Sequence, residues 1–295
     1  IMNKTLCFTS FNFDYSLKAC ILAKTLKKNN PEWVVAAVIS DSEFDPRLKF
    51  IKKYFDVVVF SHDLNIVEFE VKKKKYSIIE LCTAVKGDAA CYFLDSDYKN
   101  VIYLDPDIAV FNSMNLIEEL LNDYSILLTP HQLEPDDKNN TQSIRDNELA
   151  SLKYGIFNLG FIAFANDVNG RLCSEWWKDR LNYKCIDSPG DGYFTDQKWC
   201  NHIPIFFSGV YILRDFGCNV ASWNLNKRII KFNENGEIFV NGDLLKFYHF
   251  SKFGPLGKTM TQRYSQENFN VFELWYYYQD QLTILEKELL LILDC

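Results

Sequence analysis

Short apolar runs alternate with helix-spaced segments through the first hundred residues, and this alternation constrains the fold more than any other feature of the chain. Residues 5–9, 34–39, 57–60 and 101–104 are compact apolar runs, the pattern of strands buried on both faces. Between them, Leu17, Ile21, Leu22 and Leu26 recur at helical spacing over residues 16–28, and Asn29-Asn30-Pro31 ends the run. Residues 46–55 show helical spacing again, and 80–94 read as one long helix. Strands and helices in this order predict an α/β fold, with a mostly parallel central sheet and right-handed crossovers. Ligands in such sheets bind beyond the carboxyl ends of the strands. The segments 9–15, 41–45 and 105–107 fall there.

The second half is less regular. Helices are expected over 115–122 and 168–182, and strands over 125–129 and 156–164. Residues 131–140 are polar and read as a mobile loop; the loop over 131–148 and the C-terminal helix match no pattern and are expected to choose the acceptor. Asn235-Gly236 and Asn241-Gly242 signal tight hairpins, so 228–249 reads as an antiparallel meander. Residues 267–293 are helical and aromatic, and their Leu- and Ile-rich end suits core packing or a helix partner better than a membrane. The expected organisation is a single domain over 1–264, divided into a nucleotide-binding half over 1–110 and a donor-sugar and acceptor half over 111–264. A helical extension over 265–295 follows, through which an oligomer could form.

Composition narrows the function. The 295 residues are 48% hydrophobic and 24% charged, as in a globular protein. A net charge of -7 argues against a nucleic-acid partner. The one basic block, Lys72-Lys73-Lys74-Lys75, is either a solvated helix edge or a contact for phosphate or membrane. Nine cysteines without a Cys-x-x-Cys pair, mostly in apolar segments, predict reduced buried thiols and a cytoplasmic setting. Ile1-Met2-Asn3-Lys4 lacks a signal-peptide pattern, with Ile1 reading as an added residue, and no apolar run reaches the roughly 20 residues of a membrane span. At most a peripheral contact at the inner face of the membrane is expected.

The strand 101–104 delivers Asp105-Pro106-Asp107 into a turn. Side chains two apart on extended backbone point the same way, so both carboxylates aim at one place. A divalent cation on a diphosphate needs a few hard oxygen ligands and open positions for phosphate. Alone, Asp-x-Asp is also an ordinary turn with a helix cap.

Four segments, in order, resemble the retaining glycosyltransferases of family 8 and their bacterial relatives: Tyr103-Leu104-Asp105-Pro106-Asp107, Phe157-Asn158-Leu159-Gly160-Phe161-Ile162, Thr195-Asp196-Gln197 and His249-Phe250-Ser251-Lys252-Phe253-Gly254. The resemblance implies a GT-A fold: a Rossmann-like sheet flanked by helices, a smaller antiparallel acceptor-side portion and a helical C-terminus. It implies Mn2+ or Mg2+ held by Asp105, Asp107 and His249, although a lone His after an apolar strand is often structural. It places a uridine diphosphate sugar against Thr9, Ser10, Asp14 and Tyr15, where an ordinary loop and cap is the other reading. Lys86 would contact donor groups, or be an exposed helix lysine.

Asn158, Asp196 and Gln197 would face the donor sugar as the catalytic set. Gln is a poor nucleophile, so front-face attack with retention is implied, while Asp196 could equally cap a helix. The late motif departs from the family: Lys252 stands where glycine is usual, and either Lys252 or Lys258 would serve the phosphates. The implied reaction moves a hexose or N-acetylhexosamine from a UDP-sugar to a hydroxyl of a glycan or protein, on a cell-surface glycan for instance. The competing readings are a haloacid-dehalogenase-type phosphatase, whose Asp-x-Asp lies near the N-terminus, and a non-catalytic carbohydrate- or nucleotide-binding module.

Overall fold

A computed structural model describes residues 4–294. The expectations for Ile1, Met2, Asn3 and Cys295 lie outside that range. Strands β1 (Thr5–Phe11), β2 (Val34–Ile39), β3 (Val57–Phe60), β4 (Asn100–Leu104), β5 (Ile108–Val110), β6 (Ile126–Pro130) and β7 (Phe157–Ala165) carry the architecture. The central sheet has seven strands: Val210–Ile212, then β6, β7, β4, β1, β2 and β3. Pairing is parallel except along β7, which runs antiparallel to both β4 and β6. The expected α/β architecture is therefore present, with β7 threaded through its middle.

Alternation along the strands divides the core into two layers. Cys7 and Phe11 of β1 and Ile102 and Leu104 of β4 face one side, packed with Ala19, Leu22 and Leu26 of the helix Ser16–Asn29 and with Trp275 and Tyr278 of the helix Val271–Leu293. Leu6, Phe8, Val101 and Tyr103 face the other, under Phe93 and Leu94 of the helix Lys86–Asp95 and Trp177 of the helix Val168–Tyr183. Each buried Leu, Ile, Val or Phe among these contributes about 1.5–3 kcal/mol by leaving water. The last helix also carries exposed Tyr276, Ile284 and Leu291 on its outer face. No helix among the described residues is long and apolar enough to cross a membrane. The eight described cysteines are free, six of them buried.

Several local expectations are corrected. The first strand extends to Phe11, because Ser10 and Phe11 pair with Val38 and Ile39. The helix expected over 46–55 is regular only at Leu48–Ile51, flanked by turns, with Asp45 accepting from the Arg47 N–H just ahead of it. The helix expected over 80–94 is two, Ile78–Ala84 and Lys86–Asp95, broken at Val85. Ser77 and Glu80 form a capping box that starts the first of them. The loop expected to run to residue 148 is helical from 141, and the helix continues to 154 with a π-helical turn at Ile144–Leu149; its packing on polar partners is invisible to an apolar-periodicity argument. In the meander, Ile230–Phe232, Ile238–Val240 and Asp243–Leu244 pair in sequence. Asn241 and Gly242, at φ 52 and 99, form the two-residue turn that their sequence signals. Phe247–His249 then leaves and pairs antiparallel with β5, which brings His249 beside the aspartates. Of the basic block, Lys73, Lys74 and Lys75 are exposed, but Lys72 is buried and donates to Asn182 Oδ1.

Asn182 also donates to Asp88 at 3.1 Å. Burial pushes the Asp88 carboxyl up to about 6, against the opposing pull of Asn182 and Lys72. A carboxyl raised on folding stabilises the protein while protonated, and that contribution disappears as pH rises from about 4 to about 6. Asp88→Asn should therefore remove this pH dependence and exceed the native protein in stability by about 1–3 kcal/mol at pH 7, read by urea unfolding at pH 4.5 and 7.

Candidate active site

The carboxyl ends of β1 and β4, the start of the helix Lys86–Asp95, and residues 158–160, 194–197 and 249–251 enclose a cavity of about 300 Å³. Asp105 follows β4 directly and its N–H donates to the Gly160 carbonyl, an extension of the β4–β7 ladder. Ile108 N–H closes the turn onto the Asp105 carbonyl. Phe250 N–H bonds the Asp107 carbonyl, so the late histidine strand is tied to the aspartate turn by backbone as well as side chain.

The Asp105, Asp107 and His249 side chains converge. His249 Nε2 lies 3.0 Å from Asp107 Oδ1 and 3.7 Å from Asp105 Oδ2. One ligand atom from each of the three lies within 4.8 Å of the others. Two carboxylates and an imidazole directed at one point make a donor set that fits a divalent cation. Burial, the largest single influence, raises the Asp107 carboxyl, but His249 and Lys18 together outweigh it and hold it below its usual value. The same pair acts in reverse on His249: burial lowers it, and Asp107 with Asp105 brings the net above the ordinary histidine value.

Lys86 is the counter-charge. Its Nζ sits 3.2 Å from Asp105 Oδ1 and 3.0 Å from Asp196 Oδ2, with the Tyr103 ring 4.2 Å below. Tyr103 donates to Asp105 Oδ1 at 2.6 Å. Burial works against the Lys86 charge, and the two carboxylates restore and exceed it, so its pKa is raised. Asp196 is raised, burial outweighing Lys86. The residue before it, Thr195, is β-branched yet has φ 41, a left-handed conformation of the kind stored at functional sites.

Gly160 explains one motif. Asn158 and Gly160 lie two apart on β7 and share a face. A Cβ at Gly160 would stand 2.6 Å from His249 Cε1, so glycine leaves room for the imidazole that Asn158 contacts. Gly155, at φ 125, likewise clears Gln197.

Of the residues singled out in the sequence, Ser10, Tyr15, Lys86, Asp105, Asp107, Asn158, Asp196, Gln197 and His249 line this cavity. Thr9 is buried in β1 and does not line it. Asp14 is exposed and pairs with Arg47 at 3.2 Å. Lys252 instead lines a second, adjoining cavity of about 750 Å³. The two cavities share Asn158, Phe194, Gln197 and Ser251. Lys252 has φ 54, the left-handed region where glycine is easier. The second cavity is also walled by His131, Asp146, Tyr154 and Trp223, with helical residues 146–154 along one side.

Sequence reasoning missed His131, Asn219 and Trp223. Asn219 adopts φ 54, which Asn tolerates better than most residues, but a lone Asn gives no usable signal. Trp223 packs edge-on against both His131 and His249, with centroids 5.5 and 5.3 Å away.

No family model matches the chain. The uncharacterized protein YfnF of Bacillus subtilis is 29% identical over 159 residues, 53% of this chain and 50% of that protein. YfnD of the same organism is 24% identical over 228 residues, 76% of this chain and 67% of that protein. The chain thus spans between half and two thirds of the length of these curated relatives. Among solved structures, the apo form of the glycosyltransferase GlyE from Streptococcus pneumoniae superposes with a TM-score of 0.52 at 14% identity, covering 97% of this chain and 62% of that one. The fold is that of the GT-A glycosyltransferases, an α/β sheet of mostly parallel strands with flanking helices and small antiparallel sheets.

Proposed function

We propose that the chain transfers a hexose or N-acetylhexosamine from a UDP-sugar to an acceptor hydroxyl, with retention, and that the reaction depends on Mn2+ or Mg2+. The observation that carries this reading is the convergence of Asp105, Asp107 and His249 at the carboxyl end of β4, with Lys86, Asp196 and Gln197 beside them in one cavity. A bound divalent cation supplies Lewis-acid neutralisation of the departing diphosphate. Ser10 and Tyr15, on the cavity wall at the carboxyl end of β1, take the nucleoside end. Lys86 holds Asp105 and Asp196 in fixed relation, so the donor sugar meets a preset charge pattern.

Gln197 Oε1 already accepts from Leu159 N–H at 3.2 Å, and its Nε2 donates to the Tyr154 carbonyl at 3.1 Å. An amide so committed is no nucleophile, and Asp196 is engaged by Lys86, which supports front-face attack. The second cavity receives the acceptor glycan or protein through the walls that the two cavities share. Thiols buried at six of the described cysteines favour a reducing, cytoplasmic site of action.

The test is UDP release from a panel of UDP-hexoses and UDP-N-acetylhexosamines with Mn2+. At least one donor should be turned over, with loss of turnover on chelation, while p-nitrophenyl phosphate stays intact. Cleavage of the phosphate ester with no donor consumed would sink the reading.

A further inference from the structure

We propose that Asn158 is a positioning residue for the cation ligand His249, held in place by His131 and Asn219. Its amide fixes His249 with Nδ1 protonated and Nε2 presented to the cation, and it ties the same setting to Gln197. The inference rests on the metal reading above and deepens it.

Backbone groups settle the orientation of Asn158, Gln197 and His131, and Asn158 in turn settles that of Asn219 and His249. The Gly160 N–H is an unambiguous donor 3.2 Å from Asn158 Oδ1, so that atom is the carbonyl oxygen. Asn219 Nδ2 donates to the same oxygen at 3.1 Å. A carbonyl oxygen only accepts, so His249 Nδ1, 3.2 Å away, carries a hydrogen. Nε2 faces Asp105 and Asp107, to which it donates without a cation; with Nδ1 holding its own hydrogen, Nε2 is the nitrogen that gives up a proton and turns its lone pair to a cation there. On the other side, the Leu159 N–H identifies Gln197 Oε1, which accepts from Asn158 Nδ2 at 3.3 Å. The Ile156 carbonyl lies 3.1 Å from His131 Nδ1, so that nitrogen is the donor and Nε2 accepts the second Asn158 N–H at 3.4 Å.

Both Asn158 N–H groups are thus used, and its oxygen has three donors. Nothing of the amide is left over for a sugar hydroxyl, although the residue lines both cavities. It acts through His249 and Gln197. An outer partner that fixes a ligating imidazole is worth about 10–100-fold in metal affinity.

The experiment measures Mn2+ affinity from free-ion electron paramagnetic resonance, on native protein and on Asn158→Leu and His131→Phe. Asn158→Leu should weaken Mn2+ binding about 10–100-fold. His131→Phe should weaken it by less, since Asn158 keeps its other four partners. A folded Asn158→Leu protein that binds Mn2+ within twofold of native overturns the proposal. If that variant does not fold, long-range 1H–15N spectra of the native protein decide instead. The chain has four histidines, so His249 is assigned by its loss in His249→Gln. Recorded with saturating Mg2+, a His249 ring protonated at Nδ1 and bare at Nε2 supports the proposal, and one protonated at Nε2 and bare at Nδ1 overturns it. Native protein that binds neither Mn2+ nor Mg2+ would defeat the metal reading and this proposal with it, whereas tight binding that Asn158→Leu leaves unchanged would overturn the proposal alone.

Discussion

Lys86→Met should lower the unfolding free energy by about 3–5 kcal/mol, the usual cost of removing one partner from a buried ion pair. Methionine keeps the apolar stem and removes only the charge, so packing is nearly conserved. What remains is Asp196, whose side chain is 4% exposed and would face Asp105 without a cation between them. The sign with pH follows. Burial already raises Asp196, and without Lys86 its folded-state pKa rises further, so the folded state binds a proton more readily than the unfolded one. The deficit is therefore greatest at neutral pH and shrinks as pH falls and Asp196 is protonated. Lys86→Arg keeps the charge and should retain most of the stability. Urea unfolding of the three proteins at pH 7 and pH 5 checks the claim. Equal stability of Lys86→Met and native protein at pH 7 would show that the ion cluster is not as buried as described here.

Gly160→Ala should reduce turnover by at least about 100-fold, because a displacement of about 1 Å in a reacting constellation has that cost. The added methyl would stand 2.6 Å from His249 Cε1, 2.7 Å from His249 Nδ1 and 2.8 Å from Asn158 Oδ1. None of these is the loose end of a flexible side chain. The imidazole is packed edge-on against Trp223 and bonded at both nitrogens, so it has to swing away from the aspartates. The loss should appear together with weakened Mn2+ binding and raised sensitivity to chelator. Turnover within tenfold of native, measured with saturating Mn2+, would mean that His249 is free to move.

The first sheet half was legible because buried parallel strands leave continuous apolar runs, and β1 to β4 occupy those runs almost residue for residue. The Asp105 turn follows from β4 in the same way. His249 is a different case. Its strand is three residues long and reaches the aspartates by pairing with β5, a contact spanning well over a hundred residues that no local pattern encodes. The order of motifs suggested it, and the geometry of β5 supplies the reason. Lys86 was equally open between an exposed helix lysine and a donor contact, since helical spacing does not show that Val85 breaks the helix and that Lys86 begins a new one with its ammonium over the Tyr103 ring.

Residues 141–154 defeated the sequence altogether. Their helix buries Ser143 and Asn147, polar side chains that carry no hydrophobic period. The network around Asn158 was hidden for a related reason: its partners come from residues 131, 197, 219 and 249 and meet only in the folded chain.

The central claim is that Asp105, Asp107 and His249 form a cation site on which UDP depends. Calorimetric titration of UDP into native protein and into Asp105→Asn, each with Mn2+ and with chelator, tests it most directly. A cation bridging carboxylates to a diphosphate supplies several kcal/mol, so native protein should bind UDP at least about 100-fold more tightly with Mn2+, and Asp105→Asn should lose that gain. UDP affinity that is the same with chelator as with Mn2+, or unchanged by Asp105→Asn, would contradict the account.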